Sequence, residues 1–143
     1  MEISLRGKTA IVTGASRGIG KAIAKSFVDA GAQVMLTSRK LDALQAAAKE
    51  MDGETDVFAA NAGEIDQAQA CVDATMKRFG KIDILVNNAA TNPYYGQTLG
   101  VDSARFDKTF QVNLKGPLFW SQSAFQKHQG YCLLQILPQF RGA

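Results

Sequence analysis

The chain has 143 residues, 46% of them hydrophobic and 20% charged, which fits one globular domain and excludes a disordered or collagen-like chain. The formal charge of +3 comes from Lys and Arg scattered along the sequence, so the clustered basic footprint of a nucleic-acid binder is missing. No apolar run reaches the roughly 18 residues that span a bilayer. The start, Met1-Glu2-Ile3-Ser4-Leu5-Arg6, lacks the basic-then-apolar order of a signal peptide, and a cytoplasmic location without membrane contact is expected. Cys71, Cys132 and the single histidine, His128, supply neither a disulfide framework nor a metal-ligand cluster.

Short β-rich runs alternate with longer amphipathic ones, the pattern of a parallel sheet covered by helices. Lys8 to Thr13 reads as a buried strand followed by a glycine-rich turn. Ile19, Ala22, Ile23, Phe27 and Ala30 then recur at helical spacing, with Gly31 as the stop. Val34 to Thr37 makes a second strand, and Leu41, Leu44, Ala48 and Met51 mark one face of a second helix. Thr55 to Ala60 is a weaker third strand, and Ile65, Ala68, Val72, Met76 and Phe79 form the stripe of a third helix that Gly80 closes. Ile82 to Val86 is the fourth strand. After a loop from Asn87 to Gly100, a fourth helix capped by Asp102 or Ser103 should run to Phe125, bent at Gly116-Pro117. Tyr131 to Leu137 is a candidate fifth strand. The expected division is a dinucleotide-binding region over residues 1–129 and a divergent tail over 130–143.

The turn Thr13-Gly14-Ala15-Ser16-Arg17-Gly18-Ile19-Gly20 sets three glycines between a strand and a helix. Without side chains there, an anion can reach the backbone N–H groups at the helix N-terminus. This turn, Asn87-Asn88-Ala89-Ala90 and Gln111-Val112-Asn113 occur in the order of the signatures of the short-chain dehydrogenase/reductase family, which residues 5–125 resemble. The resemblance implies an α/β, Rossmann-type doubly wound parallel sheet, here with about four to five strands, carrying a nicotinamide dinucleotide. It places Gly14, Ser16, Gly18, Ile19 and Gly20 at the pyrophosphate, and Asn87 and Ala89 beside the adenosine ribose and the approach to the nicotinamide. It also places Asn61 at the adenine, where the family commonly has Asp, and replaces the usual final Gly of the Asn-Asn-Ala-Gly signature by Ala90.

Charge argues for NADP(H). Users of NAD in this fold hold the ribose 2′-hydroxyl with an acidic residue at the end of the second strand. Here that position reads Ser38-Arg39, and Arg17 adds a second cation in the glycine turn, a set that suits a 2′-phosphate.

Reduction of a carbonyl also needs a proton donor, and the resemblance implies a Ser and a Tyr-x-x-x-Lys pair working with an Asn. Asn113 is the one member recognisable. Four residues beyond Tyr94, Tyr95 and Tyr131 stand Thr98, Leu99 and Gln135, so these 143 residues contain no Tyr-x-x-x-Lys. Pro117, four residues after Asn113, has no N–H to give the Asn113 carbonyl, which leaves that carbonyl open to a relay water. The expectation is an NADP(H)-binding oxidoreductase relative of a carbonyl/alcohol class, truncated, inactive alone and prone to self-association through Leu114, Leu118, Phe119, Trp120 and Phe125. The alternatives are a non-catalytic NADPH-binding or regulatory module, or a relic without function.

Overall fold

The computed structural model describes residues 3–127 and the backbone of Cys132–Gln135. Five parallel strands form one sheet in the order β3-β2-β1-β4-β5, comprising β1 (Thr9–Thr13), β2 (Gln33–Ser38), β3 (Thr55–Ala59), β4 (Ile84–Asn87) and β5 (Cys132–Gln135). The helices are α1 (Gly18–Asp29), α2 (Leu41–Lys49), α3 (Ile65–Phe79), α4 (Ser103–Phe110) and α5 (Gly116–Gln126). The architecture is the doubly wound α/β sheet expected from the sequence. His128, Tyr131 and the end of the expected fifth strand lie outside the described residues. Cys132–Gln135 pairs with β4 from within the segment assigned to the tail.

Every residue of β1 is buried, as required of a central parallel strand with helices on both faces. Alternate side chains feed two cores. Ala10, Val12, Val34, Leu36 and Val86 pack under α1 and α2, and Ile11, Met35 and Leu85 pack under α3 and α5. Full burial of a side chain such as Leu85 contributes about 1.5–3 kcal/mol.

Helix α1 ends in paired bonds, Gly31 N–H to Val28 O at 2.8 Å and Ala32 N–H to Phe27 O at 2.9 Å. Gly31 supports this ending with a φ of 92°, a conformation that side chains resist. The buried side of α1 is Gly20, Ala24 and Val28, while Ile19 and Ala22 are exposed, so the stripe lies about one residue from the expected one. In α3 the deepest residues are Ala68, Cys71, Val72 and Thr75, and Ile65 is exposed. Burial pushes the Cys71 thiol up to about 12, against a smaller opposing pull from the Thr37 and Thr75 hydroxyls, so it is an inert core thiol.

The expected single fourth helix is two helices joined by a π turn, Gln111–Lys115. Asp102 caps α4 by accepting from Arg105 N–H at 2.8 Å. An unbroken α-helix would require Pro117 to donate an N–H to Asn113. The chain instead widens before the proline, and Gly116 N–H bonds to Gln111 O, five residues back. Trp120 is fully buried and donates from Nε1 to Ala62 O at 3.2 Å, so it belongs to the core and not to the uncovered face expected for it. Strand β4 starts at Ile84, two residues later than the apolar run suggests, because Asp83 turns its carboxylate to the Thr9 N–H at 2.8 Å.

Candidate cofactor site

The strand order reverses between β1 and β4, and the crevice outside their carboxyl ends is where open sheets of this kind bind ligands. The turn after β1 makes one wall. Gly14 and Gly18 adopt φ of 68° and 57°. A Cβ on Gly20 would overlap Gly14 O, and one on Gly14 would lie 2.9 Å from Asn88 Nδ2 and 3.0 Å from Ala89 Cα, so backbone and the Asn88 amide fill the space that a side chain would need. Arg17 stands at the N-cap of α1 with no side-chain capping bond, and the first turn holds no acid. The N–H groups of Gly18, Ile19 and Gly20 therefore lack helical acceptors and face an unblocked positive helix end. Exposed Ile19 stands on the same first turn, and Ser16 is half-buried in the glycine loop.

At the end of β2 the Ser38 hydroxyl is buried without a hydrogen-bond partner. Next to it in sequence Arg39 is exposed, as is Arg17, and neither guanidinium makes an ion pair among the described residues. A buried hydroxyl left unpaired costs roughly 1–3 kcal/mol, so this corner is polar and incompletely satisfied. The glycine cradle, the open helix end, the orphaned hydroxyl and two unpaired cations fit a dinucleotide with a phosphorylated ribose.

The wall on the β4 side is held by Thr13 and Asn88, to which the sequence assigns no individual role, together with Asn87 and Ala89, which the resemblance places at the cofactor. Thr13 Oγ1 accepts from the N–H groups of Asn88 and Ala89, both at 3.0 Å, and donates to Val86 O at 3.1 Å. Asn88 Nδ2 donates to Thr13 O at 2.9 Å and to Gly14 O at 3.3 Å. Asn87, buried, donates to Ser121 Oγ at 3.2 Å, and Ser121 donates to Pro117 O at 2.6 Å. Ser121 and Ser123 both lie in α5, as the sequence suggests. No described residue other than glycine has a positive φ, so Ala90 fits its position without strain.

Asn61 follows β3 in a local turn, its Oδ1 accepting from Gly63 N–H at 3.1 Å. Asn113 sits inside the π turn, and both ends of its amide bond to Thr91. Oδ1 accepts from Thr91 N–H and Nδ2 donates to Thr91 O, both at 2.8 Å. The sequence points to the Asn113 carbonyl, and it carries no local signal for this side-chain clamp on the β4–α4 loop, whose partner is backbone 22 residues away. Tyr94 is committed to its own loop, donating to Gln97 O at 3.1 Å with the Arg105 guanidinium 5.3 Å from its ring centre. No group of three or more candidate metal ligands occurs among the described residues. Among them, no helix is long and apolar enough to cross a membrane.

Comparison with known proteins agrees with this geometry. The sequence model of the short chain dehydrogenase family matches residues 8–131. Dehydrogenase/reductase SDR family member 4 of Caenorhabditis elegans is 42% identical over 113 residues, 76% of this chain and 44% of that protein. Sorbitol dehydrogenase of Cereibacter sphaeroides is 36% identical over 119 residues, 83% of this chain and 46% of that protein. The chain thus spans less than half the length of these two relatives. A metagenomic short-chain oxidoreductase solved in complex with NADP superposes with a TM-score of 0.86 at 32% identity, covering 92% of this chain and 62% of that one. With a family model matched over most of its length and a cofactor crevice built at the expected strand ends, this chain belongs to the short-chain dehydrogenase family.

Proposed function

We propose that the chain is the NADP(H)-binding region of a cytoplasmic short-chain oxidoreductase that acts on a small carbonyl or alcohol substrate. The observation that carries the choice of NADP(H) is the corner at the end of β2, with its buried unpartnered Ser38 hydroxyl and the unpaired guanidinium groups of Arg17 and Arg39. The solved neighbour in complex with NADP supports the same reading. In this chain the N–H groups of Gly18, Ile19 and Gly20, with Gly14 and Ser16, hold the pyrophosphate. Arg17, Ser38 and Arg39 hold the 2′-phosphate, Asn61 borders the adenine, and Asn87 and Ala89 line the approach to the nicotinamide. Bound NADPH supplies a hydride. Asn113 fixes the β4–α4 loop through Thr91.

The chain alone binds cofactor without turning over substrate, since its 143 residues hold no Tyr-x-x-x-Lys and Ser121 is spent on Pro117 O. It acts alone as a binding module, and it associates with itself through α4 and α5. Titration with NADPH and NADH tests the cofactor assignment. Arg39→Asp should weaken NADPH binding at least about tenfold, the loss of one charge-assisted contact, and leave NADH within about twofold. Equal losses for both cofactors would remove Arg39 from the 2′-phosphate.

A further inference from the structure

Residues 61–64 leave the sheet beside β2, where Ala60 N–H bonds to Ser38 O at 2.8 Å, and lead into α3. They form the outer wall of the crevice on the side of Ser38 and Arg39, the adenosine side in a sheet of this kind. The π turn and α5 hold this wall from across the fold. Trp120 bonds to Ala62 O, and a Cβ on Gly116 would lie 2.5 Å from that same oxygen, so helix backbone rests directly on the loop. Gln111 Nε2 donates to Gly63 O at 3.2 Å and to Glu64 Oε1 at 3.0 Å. Lys108 Nζ donates to Gln111 Oε1 at 3.1 Å, which fixes the sense of the amide. A Cβ on Gly63 would stand 3.1 Å from Gln111 Cγ, leaving no slack between them. Gly63 N–H in turn holds Asn61 Oδ1, and Glu64 N–H holds Asn61 O at 3.0 Å.

We propose that Gln111 is a positioning residue for the adenine-side wall of the cofactor crevice, acting through Gly63, Glu64 and Asn61. This rests on the assignment of the crevice to NADP(H). The Gln111 amide meets each neighbour with the matching polarity, two acceptors on its NH2 group and a cation on its oxygen. A carboxylate at 111 would keep the shape and reverse that polarity, opposing the Glu64 carboxylate and the Gly63 carbonyl. Since Asn113 clamps Thr91 from the same turn, one irregular segment of helix sets both loops that flank the crevice.

The test titrates the chain with NADPH and with adenosine 2′,5′-bisphosphate, which carries the adenine and 2′-phosphate but no nicotinamide, and records melting of the unliganded protein. Gln111→Glu should weaken both ligands about tenfold. The Gln111→Glu/Glu64→Gln pair, which exchanges donor and acceptor across the contact, should return both to within about threefold of wild type. Should Gln111→Glu fail to melt cooperatively, Gln111→Met, which keeps the volume and lacks the donors, carries the same expected loss. Wild-type affinity in these single variants, or a double variant no better than Gln111→Glu, would overturn the role of Gln111 and leave the cofactor assignment standing. A wild-type chain that binds neither ligand would overturn both.

Discussion

Thr13 and Asn88 join the ends of the two strands between which the sheet reverses, the Thr13 hydroxyl accepting the Asn88 N–H at 3.0 Å and the Asn88 amide returning a bond to Thr13 O at 2.9 Å. The crevice has its width because β1 and β4 are stitched here, just below the glycine turn. Thr13 is almost fully buried, so each bond it makes replaces water that cannot return.

Thr13→Val keeps the shape and takes the acceptor from Ala89 N–H, while Asn88 N–H and Val86 O keep their bond to each other at 3.1 Å. It should cost about 1–3 kcal/mol in a urea unfolding curve and also weaken NADPH binding, since the wall beside Gly14 loses one of its ties. Unchanged stability would show that water reaches the Ala89 amide.

Regular parts of this fold were legible in the sequence, and irregular ones were not. Lys8 to Thr13, the glycine turn and Gly31 carry local signals, namely an apolar run, a spacing and a stop, and the structure forms the elements they predict. From the sequence, the helix after Asp102 should run unbroken but for a bend at Gly116-Pro117 and leave Trp120 uncovered, whereas Gln111–Lys115 is a π turn and Trp120 is buried against the Ala62 loop. The contacts of Gln111 with Gly63 and of Thr13 with Asn88 join residues 48 and 75 positions apart, and no local pattern announces them.

Asp83 makes stability depend on acid. Partial burial raises its pKa, but the Thr9 N–H together with Lys81 and Lys8 outweighs that and holds the carboxyl below its usual range. A carboxyl depressed on folding stabilises the protein fully above its unfolded value of about 3.9, and this stabilisation is lost as pH falls through the folded value. Urea midpoints measured from pH 6 downward should fall less steeply for Asp83→Asn than for wild type. Parallel curves would mean that the bonds of Asp83 do not distinguish its charged from its neutral form.

Phe106, Phe110, Leu114 and Leu118 form an exposed stripe along α4, the π turn and α5, with Phe110 47% and Leu114 62% exposed. The four-residue spacing makes the stripe self-complementary about a two-fold axis near Val112, where antiparallel helices would set Phe106 against Leu118 and Phe110 against Leu114. Asp107 and Lys115 flank a groove of about 810 Å³ along this face, and their opposite charges meet in the same arrangement. A second copy is the expected occupant. Light scattering at micromolar concentration should give a dimer or larger species, and Leu114→Lys should return a monomer. A wild-type monomer would show that the stripe is not a self-association surface.

The chain alone is expected to be catalytically silent, and the two tyrosines among the described residues support this. General acid catalysis is worth about 10²–10⁴-fold, and orientation of the carbonyl adds to it. Tyr94 donates its hydroxyl to Gln97 O at 3.1 Å within its own loop, and Thr98 stands where the family pair would place Lys. Tyr95 is 82% exposed and has Leu99, not Lys, four residues on. Mixed with simple aldehydes and ketones, the chain should oxidise NADPH no faster than a protein-free control, while still binding the cofactor. A rate that requires substrate, scales with protein and is abolished by Tyr95→Phe would overturn this, and would show that an exposed phenol can serve as the acid without its lysine.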